Sequence, residues 1–354
     1  MLSFSLSGSA FIAFSPQKGF PMNIYEIAEL AGVSIATVSR VMNDSPLVSE
    51  KTKKKVRDVI AQNEYTPNVF ARGLGLNSME TVGLICPDVA DNYMAVAVAR
   101  LERSLRECGY NCFLRCTGRD HDGCRKELRE LLQKRIDAVV LIGSSYADDD
   151  PDSEKVEYIR QAASQIPVFM LNGYVRGSNI YCALCNDYES SYSAVSEMIA
   201  SGRKKPLLLM NARTYSANQK RKGCEEALKD AGLPVEESRI LYISGGVEAV
   251  TNHLLREQHP DIDAVFAAND ILAIGALKYA EKQGLRVPED LCILGYNNSQ
   301  FALCTNPELS SIDSRVDRLC DIIVDTLQLR MKDQPVSSQV YAKGSLIRRG
   351  TTDF

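Results

Sequence analysis

Residues 23–43 read NIYEIAELAGVSIATVSRVMN, and this stretch decides how the rest of the chain is read. Asn23 suits a helix N-cap, and Glu26 three residues on completes a capping box. Ile24, Ile27, Ala28 and Ala31 recur at helical spacing. Gly32 is the residue that turns sharply at low cost, so the helix is expected to end there. Ser34 then caps a second helix. On it Val38, Val41 and Met42 share one face. Ala36, Ser39, Arg40 and Asn43 lie on the other, with Ile35 at the border. Two short amphipathic helices around a Gly turn also occur in small bundles. The outward face here is small and hydroxylated, with one Arg. Small side chains let a helix approach base edges, hydroxyls and helix N-termini grip phosphate, and an Arg fork reads guanine. The pattern is a helix-turn-helix whose second helix enters the major groove.

The segment AGVSIATVSRVMN resembles the recognition unit of the LacI/GalR family of bacterial transcriptional regulators. The resemblance continues through 65–76 and, more loosely, to the C-terminal LIRRGTT, covering nearly the whole chain from Met22. It implies DNA contacts at Tyr25, Ser34, Ile35, Ala36, Thr37, Ser39, Arg40 and Asn43. It also makes residues 67–79 a hinge helix, with Leu74 pushed into the minor groove beside Ala71 and Arg72. An apolar wedge of that kind kinks a duplex. Gly73 and Gly75 depart from a good helix, each by about 1 kcal/mol relative to Ala, so the hinge is expected to be disordered off DNA.

The chain has 354 residues and a formal net charge of −4, which suits a nucleic-acid binder poorly until it is divided. Residues 22–78 carry seven Lys/Arg against six Asp/Glu, whereas residues 79–354 carry 33 against 39. The basic residues of the first part gather at Lys51, Lys53, Lys54, Lys55 and Arg57, on the expected outer face of a third helix capped by Ser49. That cluster reads as a solvated face or as phosphate contacts. Eleven cysteines would suggest disulfides in a small secreted protein, but a chain this long needs no staples. Cys182 and Cys185 lack a second pair at zinc spacing, so no metal is expected. Reduced, mostly buried thiols in a cytoplasmic protein is the reading adopted. No apolar run is long enough to span a bilayer. Residues 1–21 are apolar and Ser-rich without a leading charge, and are read as a disordered extension ahead of an alternative start at Met22.

Residues 22–66 are thus expected to form the headpiece and residues 80–354 a two-lobed effector-binding and dimerisation domain. From Thr81 apolar strands alternate with helices, the rhythm of parallel sheets covered on both faces. Helices are expected over 151–165 and from Asn218, among others. Two rounds of the rhythm imply two doubly wound lobes. The family fold is the periplasmic-binding-protein architecture, an α/β body with three segments crossing between lobes. Residues 180–186, 296–302 and 312–318 are the expected crossings.

In open α/β sheets ligands sit beyond the carboxyl ends of the strands. Those ends supply Asp88 to Tyr93, Ser144, Ser145, Asn172, Arg213, Asn269, Asp270, Tyr296 and Asn297, a set of amides and hydroxyls suited to polyols. The resemblance adds Met94 beside Tyr93, places Ser144 and Asn269 at sugar contacts, and puts Lys220 where the family carries Arg. It also puts Asn297 where the family carries Asp. Lys is a point charge and does not replace a bidentate fork. No nucleophile, acid–base pair or phosphate loop is present, so no enzyme and no cofactor are expected. A sugar-transport component would have no use for residues 22–76. The expected function is a homodimeric regulator, of the repressor type, binding double-stranded pseudo-palindromic DNA under control of a sugar-like effector, with no membrane contact.

Overall fold

The computed structural model describes residues 22–42, 44–63, 78–148, 150, 152–257 and 261–354. The chain divides into two compact units, Met1–Met79 and Glu80–Phe354.

In the first unit, α1 (Ile24–Ala31), α2 (Ile35–Met42) and α3 (Glu50–Gln62) enclose a small core. Ile27, Ala28, Ala31, Val38, Val41 and Val56 are buried there. Both halves of the Asn23–Glu26 capping box form. Gly32 ends α1 at φ 59°, a left-handed value that a Cβ would strain. Ser34 Oγ accepts from Thr37 N at 3.2 Å, and Ser49 caps α3 through Thr52 N. One residue of the basic cluster is not outward. Lys53 is 7% exposed and lies between Asp44 (3.2 Å) and Glu50 (2.9 Å). Asp44 also accepts from Arg57 at 2.8 Å. Lys53 therefore ties the loop after α2 to α3, and its long stem covers apolar surface. Lys51, Lys54 and Lys55 remain exposed.

The second unit contains two six-stranded sheets, ordered β11-β5-β4-β3-β1-β2 and β12-β10-β9-β8-β6-β7. In the first lobe β1 (Thr81–Cys86), β3 (Ala138–Ile142), β4 (Val168–Leu171) and β5 (Ile180–Cys185) form the interior, and β2 (Asn111–Cys116) and β11 (Gln339–Ala342) the edges. Its helices are α4 (Asn92–Glu107), α5 (His121–Gln133), α6 (Glu157–Ala163) and α11 (Val316–Met331). The second lobe has β6 (Pro206–Met210), β7 (Ile240–Tyr242), β8 (Ala264–Ala267), β9 (Cys292–Tyr296), β10 (Ser310–Asp313) and β12 (Ser345–Ile347). Its helices are α7 (Asp187–Ala200), α8 (Tyr215–Asp230), α9 (Val247–Glu257) and α10 (Asp270–Gln283). All pairings are parallel except β12 with β10. Every residue of β1, β3, β4, β6, β8 and β9 is buried, as strands covered on both faces must be.

The chain passes between lobes three times: from β5 to α7, from β10 to α11, and from β11 to β12. The passage at residues 313–316 falls within an expected segment, and that at 185–187 overlaps another, running one residue past 180–186. Residues 296–302 are not a crossing, because β9 and β10 on either side lie in the same sheet. The third passage is Lys343–Gly344. The three run together: a Cβ on Gly344 would lie 2.6 Å from Ser190 Oγ and 3.1 Å from the carbonyl of Asp313.

Two helix boundaries also differ from expectation. Over 151–165 a 3-10 turn (Glu154–Val156) precedes α6, which starts only at Glu157. Ser153 caps that turn through Lys155 N and donates to Asp148, holding the preceding chain out of the helix. Conversely α8 starts at Tyr215, three residues before Asn218, because Thr214 accepts from Ala217 N. The C-terminal tail is stitched into the second lobe: Thr351 Oγ1 accepts from Ser310 N and donates to Ile293 O, and Ser310 Oγ meets Thr352 Oγ1 at 2.7 Å.

Candidate nucleic-acid interface and effector cleft

On the headpiece, the core takes Val38 and Val41 and so fixes which side of α2 faces outward. Ala36 and Arg40 are exposed, Ile35 is 40% exposed, and Ser39 and Thr37 are half-buried. Ser34 and Thr37 hydroxyls pair at 2.9 Å at the N-terminus of α2. Tyr25, at the start of α1, is 67% exposed. The Arg40 guanidinium makes no ion pair among the described residues. The surface is small, hydroxylated and carries one extended cation. Asn43 and Leu74, with the rest of the expected hinge and residues 1–21, lie outside the described residues.

In the body, a cleft opens between the carboxyl ends of the two sheets. Tyr93, Met94, Ser144 and Asn172 line it from the first lobe, and Lys220, Asn269 and Asn297 from the second. Seven of the eight residues expected there are thus brought together. Arg213 is not among them: its guanidinium stacks over the Tyr242 ring, 4.0 Å from the centroid. Cation–π stacking satisfies it outside the cleft. The lining also includes Asp91, Asn211, Thr214, Ser216 and Ala217. Asn211 and Thr214 follow β6, so the strand-end rule reaches them once the start of α8 is placed correctly.

A buried polar network forms the floor. Asp187, 2% exposed, accepts from Tyr296 OH at 2.7 Å and Ser216 Oγ at 2.5 Å. Asn172 Nδ2 reaches Ser216 at 3.3 Å, and its Oδ1 accepts from Cys185 N. Lys220, 6% exposed, donates to Ala268 O at 3.0 Å and sits 3.8 Å above the Tyr296 ring. Burial and then the Asp187 charge push the Tyr296 phenol well above its ordinary value, so it stays a donor to that carboxylate. Asp187 was missed because an Asp opening a helix reads as a cap.

The lobes touch across the cleft through Ser144 Oγ, which donates to Thr214 Oγ1 at 2.9 Å. The enclosed space is about 70 Å³, well under the ~300–1,000 Å³ of ordinary small-molecule sites. Asn269 Oδ1 caps α10 through Leu272 N, and Asp91 caps α4 through Tyr93 N and Met94 N. Tyr93 OH and Ser145 Oγ are buried with no hydrogen-bond partner among the described residues, a state that normally costs free energy. No cluster of three or more His, Cys, Asp or Glu fit to hold a metal occurs among the described residues. No helix among them is long and apolar enough to cross a membrane.

A helix-turn-helix headpiece and a body of two lobes closing on a polar cleft define a DNA-binding regulator governed by a small ligand. Comparison with known proteins gives the family. Residues 23–68 match the model of bacterial regulatory proteins of the lacI family, and residues 79–322 that of periplasmic binding proteins and the sugar-binding domain of the LacI family. An HTH-type transcriptional regulator of Lachnoclostridium phytofermentans is 44% identical over 335 residues, 94% of this chain and 100% of its own length. A lac repressor dimer bound to operator and the anti-inducer ONPF shares the fold, with TM-score 0.82 and 24% identity, covering 94% of this chain and 99% of the other. A transcriptional regulator CelR–cellobiose complex gives TM-score 0.68 at 24% identity, covering 94% and 100%. The chain belongs to the LacI family of bacterial transcriptional regulators. It is a DNA-binding regulator controlled by a small effector, and not an enzyme.

Proposed function

We propose that the chain is a repressor that binds a pseudo-palindromic operator as a homodimer and answers to a sugar or sugar derivative. One observation carries the reading: a cleft walled by amides and hydroxyls from both lobes, held shut by the Ser144–Thr214 bond. A polyol trades hydrogen bond for hydrogen bond with such walls, so entering it exchanges one lobe geometry for another. That exchange is a coupling free energy between effector and operator. In this reading residues 22–66 are the headpiece, residues 67–79 the hinge and residues 80–354 the effector-binding and dimerisation body. Ser34 and Thr37 hold phosphate, Tyr25, Ile35, Ala36, Ser39, Arg40 and Asn43 face the bases, and Leu74 is the wedge. In the cleft, Lys220, Asn269, Asn297, Asn211 and Ser144 meet the effector with Tyr93 and Met94 against its apolar face. Asn172 contributes through the floor network. The missing Arg fork makes the polyol a derivative unlike the commoner family sugars.

Exposed apolar side chains support self-association: Val96, Phe113 and Leu114 on the first lobe, Phe301 and Leu303 on the second. A second copy would take these side chains out of water. The test is operator selection from a random duplex library with purified protein, repeated with a panel of neutral, amino, acidic and phosphorylated sugars. A palindromic site whose affinity changes at least tenfold with one sugar is the expected result. No enriched site, or a site bound by monomers in sedimentation, overturns it.

A further inference from the structure

Cys86 and Cys116 end β1 and β2 as directly paired residues, and their Sγ atoms lie 3.9 Å apart. Neighbouring strands run ~4.8 Å apart, inside the ~4.4–6.8 Å Cα separation that a disulfide spans. The two thiols differ in access. Cys116 is exposed on an edge strand, whereas Cys86 is buried. Burial, with Cys116 beside it, pushes the Cys86 thiol up to about 12. The pair sits beneath the cleft mouth. Thr117 N donates to Cys86 O and Gly118 N to Pro87 O, and Pro87, Asp88 and Asp91 border the space next to Met94, Arg119 and Ser144.

We propose that Cys86 and Cys116 form a redox modification site, converted by hydrogen peroxide into a disulfide that acts on the first-lobe wall of the cleft. The exposed Cys116 thiolate attacks the outer peroxide oxygen. The O–O bond breaks, hydroxide leaves and takes a proton as water, and Cys116 becomes a sulfenic acid. Cys86 sulfur then attacks Cys116 sulfur. The S–S bond forms, the S–O bond breaks, and the second oxygen leaves as water with the Cys86 proton. Two thiols lose two electrons and the peroxide gains them. Bonding two sulfurs now 3.9 Å apart ties the ends of β1 and β2 to one another. The edge strand β2 has one neighbour and yields, carrying Thr117 and Gly118 against the Cys86–Pro87 backbone. An accessible disulfide is readily reduced, so the modification is reversible by thiols.

The test uses full-length reduced protein exposed to graded hydrogen peroxide, quenched with N-ethylmaleimide and mapped as peptides without reduction. A linked peptide joining Cys86 to Cys116, lost on dithiothreitol treatment, is expected. In Cys86→Ser, Cys116 is instead trapped by dimedone as its sulfenic acid. Deuterium exchange of residues 87–94 is expected to differ several-fold between oxidised and reduced protein, and not in Cys116→Ser. A wild-type Cys116 that stays free, oxidises without linking, or links elsewhere overturns the site. Unchanged exchange in linked protein overturns its action on the cleft.

Discussion

Removing the Asp187 carboxylate is expected to loosen the cleft floor at a measurable cost. Asp187→Ala takes away the acceptor of the Tyr296 and Ser216 hydroxyl protons, both buried, and leaves these groups only the weaker contacts to Cys185 Sγ at 3.8 Å and from Asn172 Nδ2 at 3.3 Å. The Asn172 contact at 3.5 Å is too long to count for much. Each orphaned buried hydroxyl costs about 1–3 kcal/mol. Losing the costly burial of the charge returns part of that. The net expectation is about 3 kcal/mol. In a unit the size of Glu80–Phe354, 1 kcal/mol is worth roughly 2 °C, so Tm falls by about 6 °C. Tyr296→Phe removes one of the two donors and should cost about half as much. The double variant tests the argument, because deleting the Tyr296 hydroxyl leaves one fewer orphan when Asp187 is absent. A coupling of about 1–2 kcal/mol is therefore expected. Calorimetry with urea titration reads all four corners. Strict additivity, or an Asp187→Ala Tm within about 1 °C of wild type, refutes the network as described.

Three further outcomes rest on the same structure. Arg40→Ala should cost about 1–3 kcal/mol of discrimination between operator and scrambled duplex, with binding to the scrambled duplex little changed, as read by fluorescence anisotropy at fixed salt. Gly223→Ala places a Cβ 2.3 Å from the Tyr188 carbonyl and 3.0 Å from Tyr192 N. Both are backbone of α7, so α7 and α8 must separate, costing about 2–3 kcal/mol in urea unfolding. Burial raises the Asp270 carboxyl above its ordinary value, against the lowering effect of its Ser311 and Ser299 bonds. The folded state then holds that proton more tightly than the unfolded chain. Its contribution to stability is full below the ordinary carboxylate value, ~3.9, and is lost as pH rises through the raised one. Asp270→Asn should flatten this part of the stability–pH curve, and a variant curve parallel to wild type would contradict it.

The capping box, the Gly32 turn, the apolar stripes of α1 and α2 and the strands of both lobes were legible because each is a local pattern. Local hydrogen bonds and burial period write them into adjacent residues. The crossings were only partly legible. Residues 296–302 leave a buried strand and pass through polar residues, as a crossing would, yet return to the same sheet. The Lys343–Gly344 crossing joins two strands of four and three residues, too short for a period to register. Lys53 read as a surface residue because Lys is rarely buried unpaired, yet two carboxylates draw it in. Lys220 was expected in the cleft, but its sequence position did not say that a carbonyl and an aromatic face would hold it buried there. Arg213 was misplaced for the opposite reason: strand-end position says where a backbone goes, not which ring a long side chain will choose.

β11 and β12 complete the two sheets at opposite lobes, within nine residues of one another. During synthesis both sheets therefore wait, each with an unpaired edge at β5 or β10, until the ribosome has passed residue 347. The lobes cannot mature one after the other like beads on a string. They finish together, and a chain stalled before Gln339 would leave the β5 and β10 edges unpaired at once, two templates for pairing with another chain.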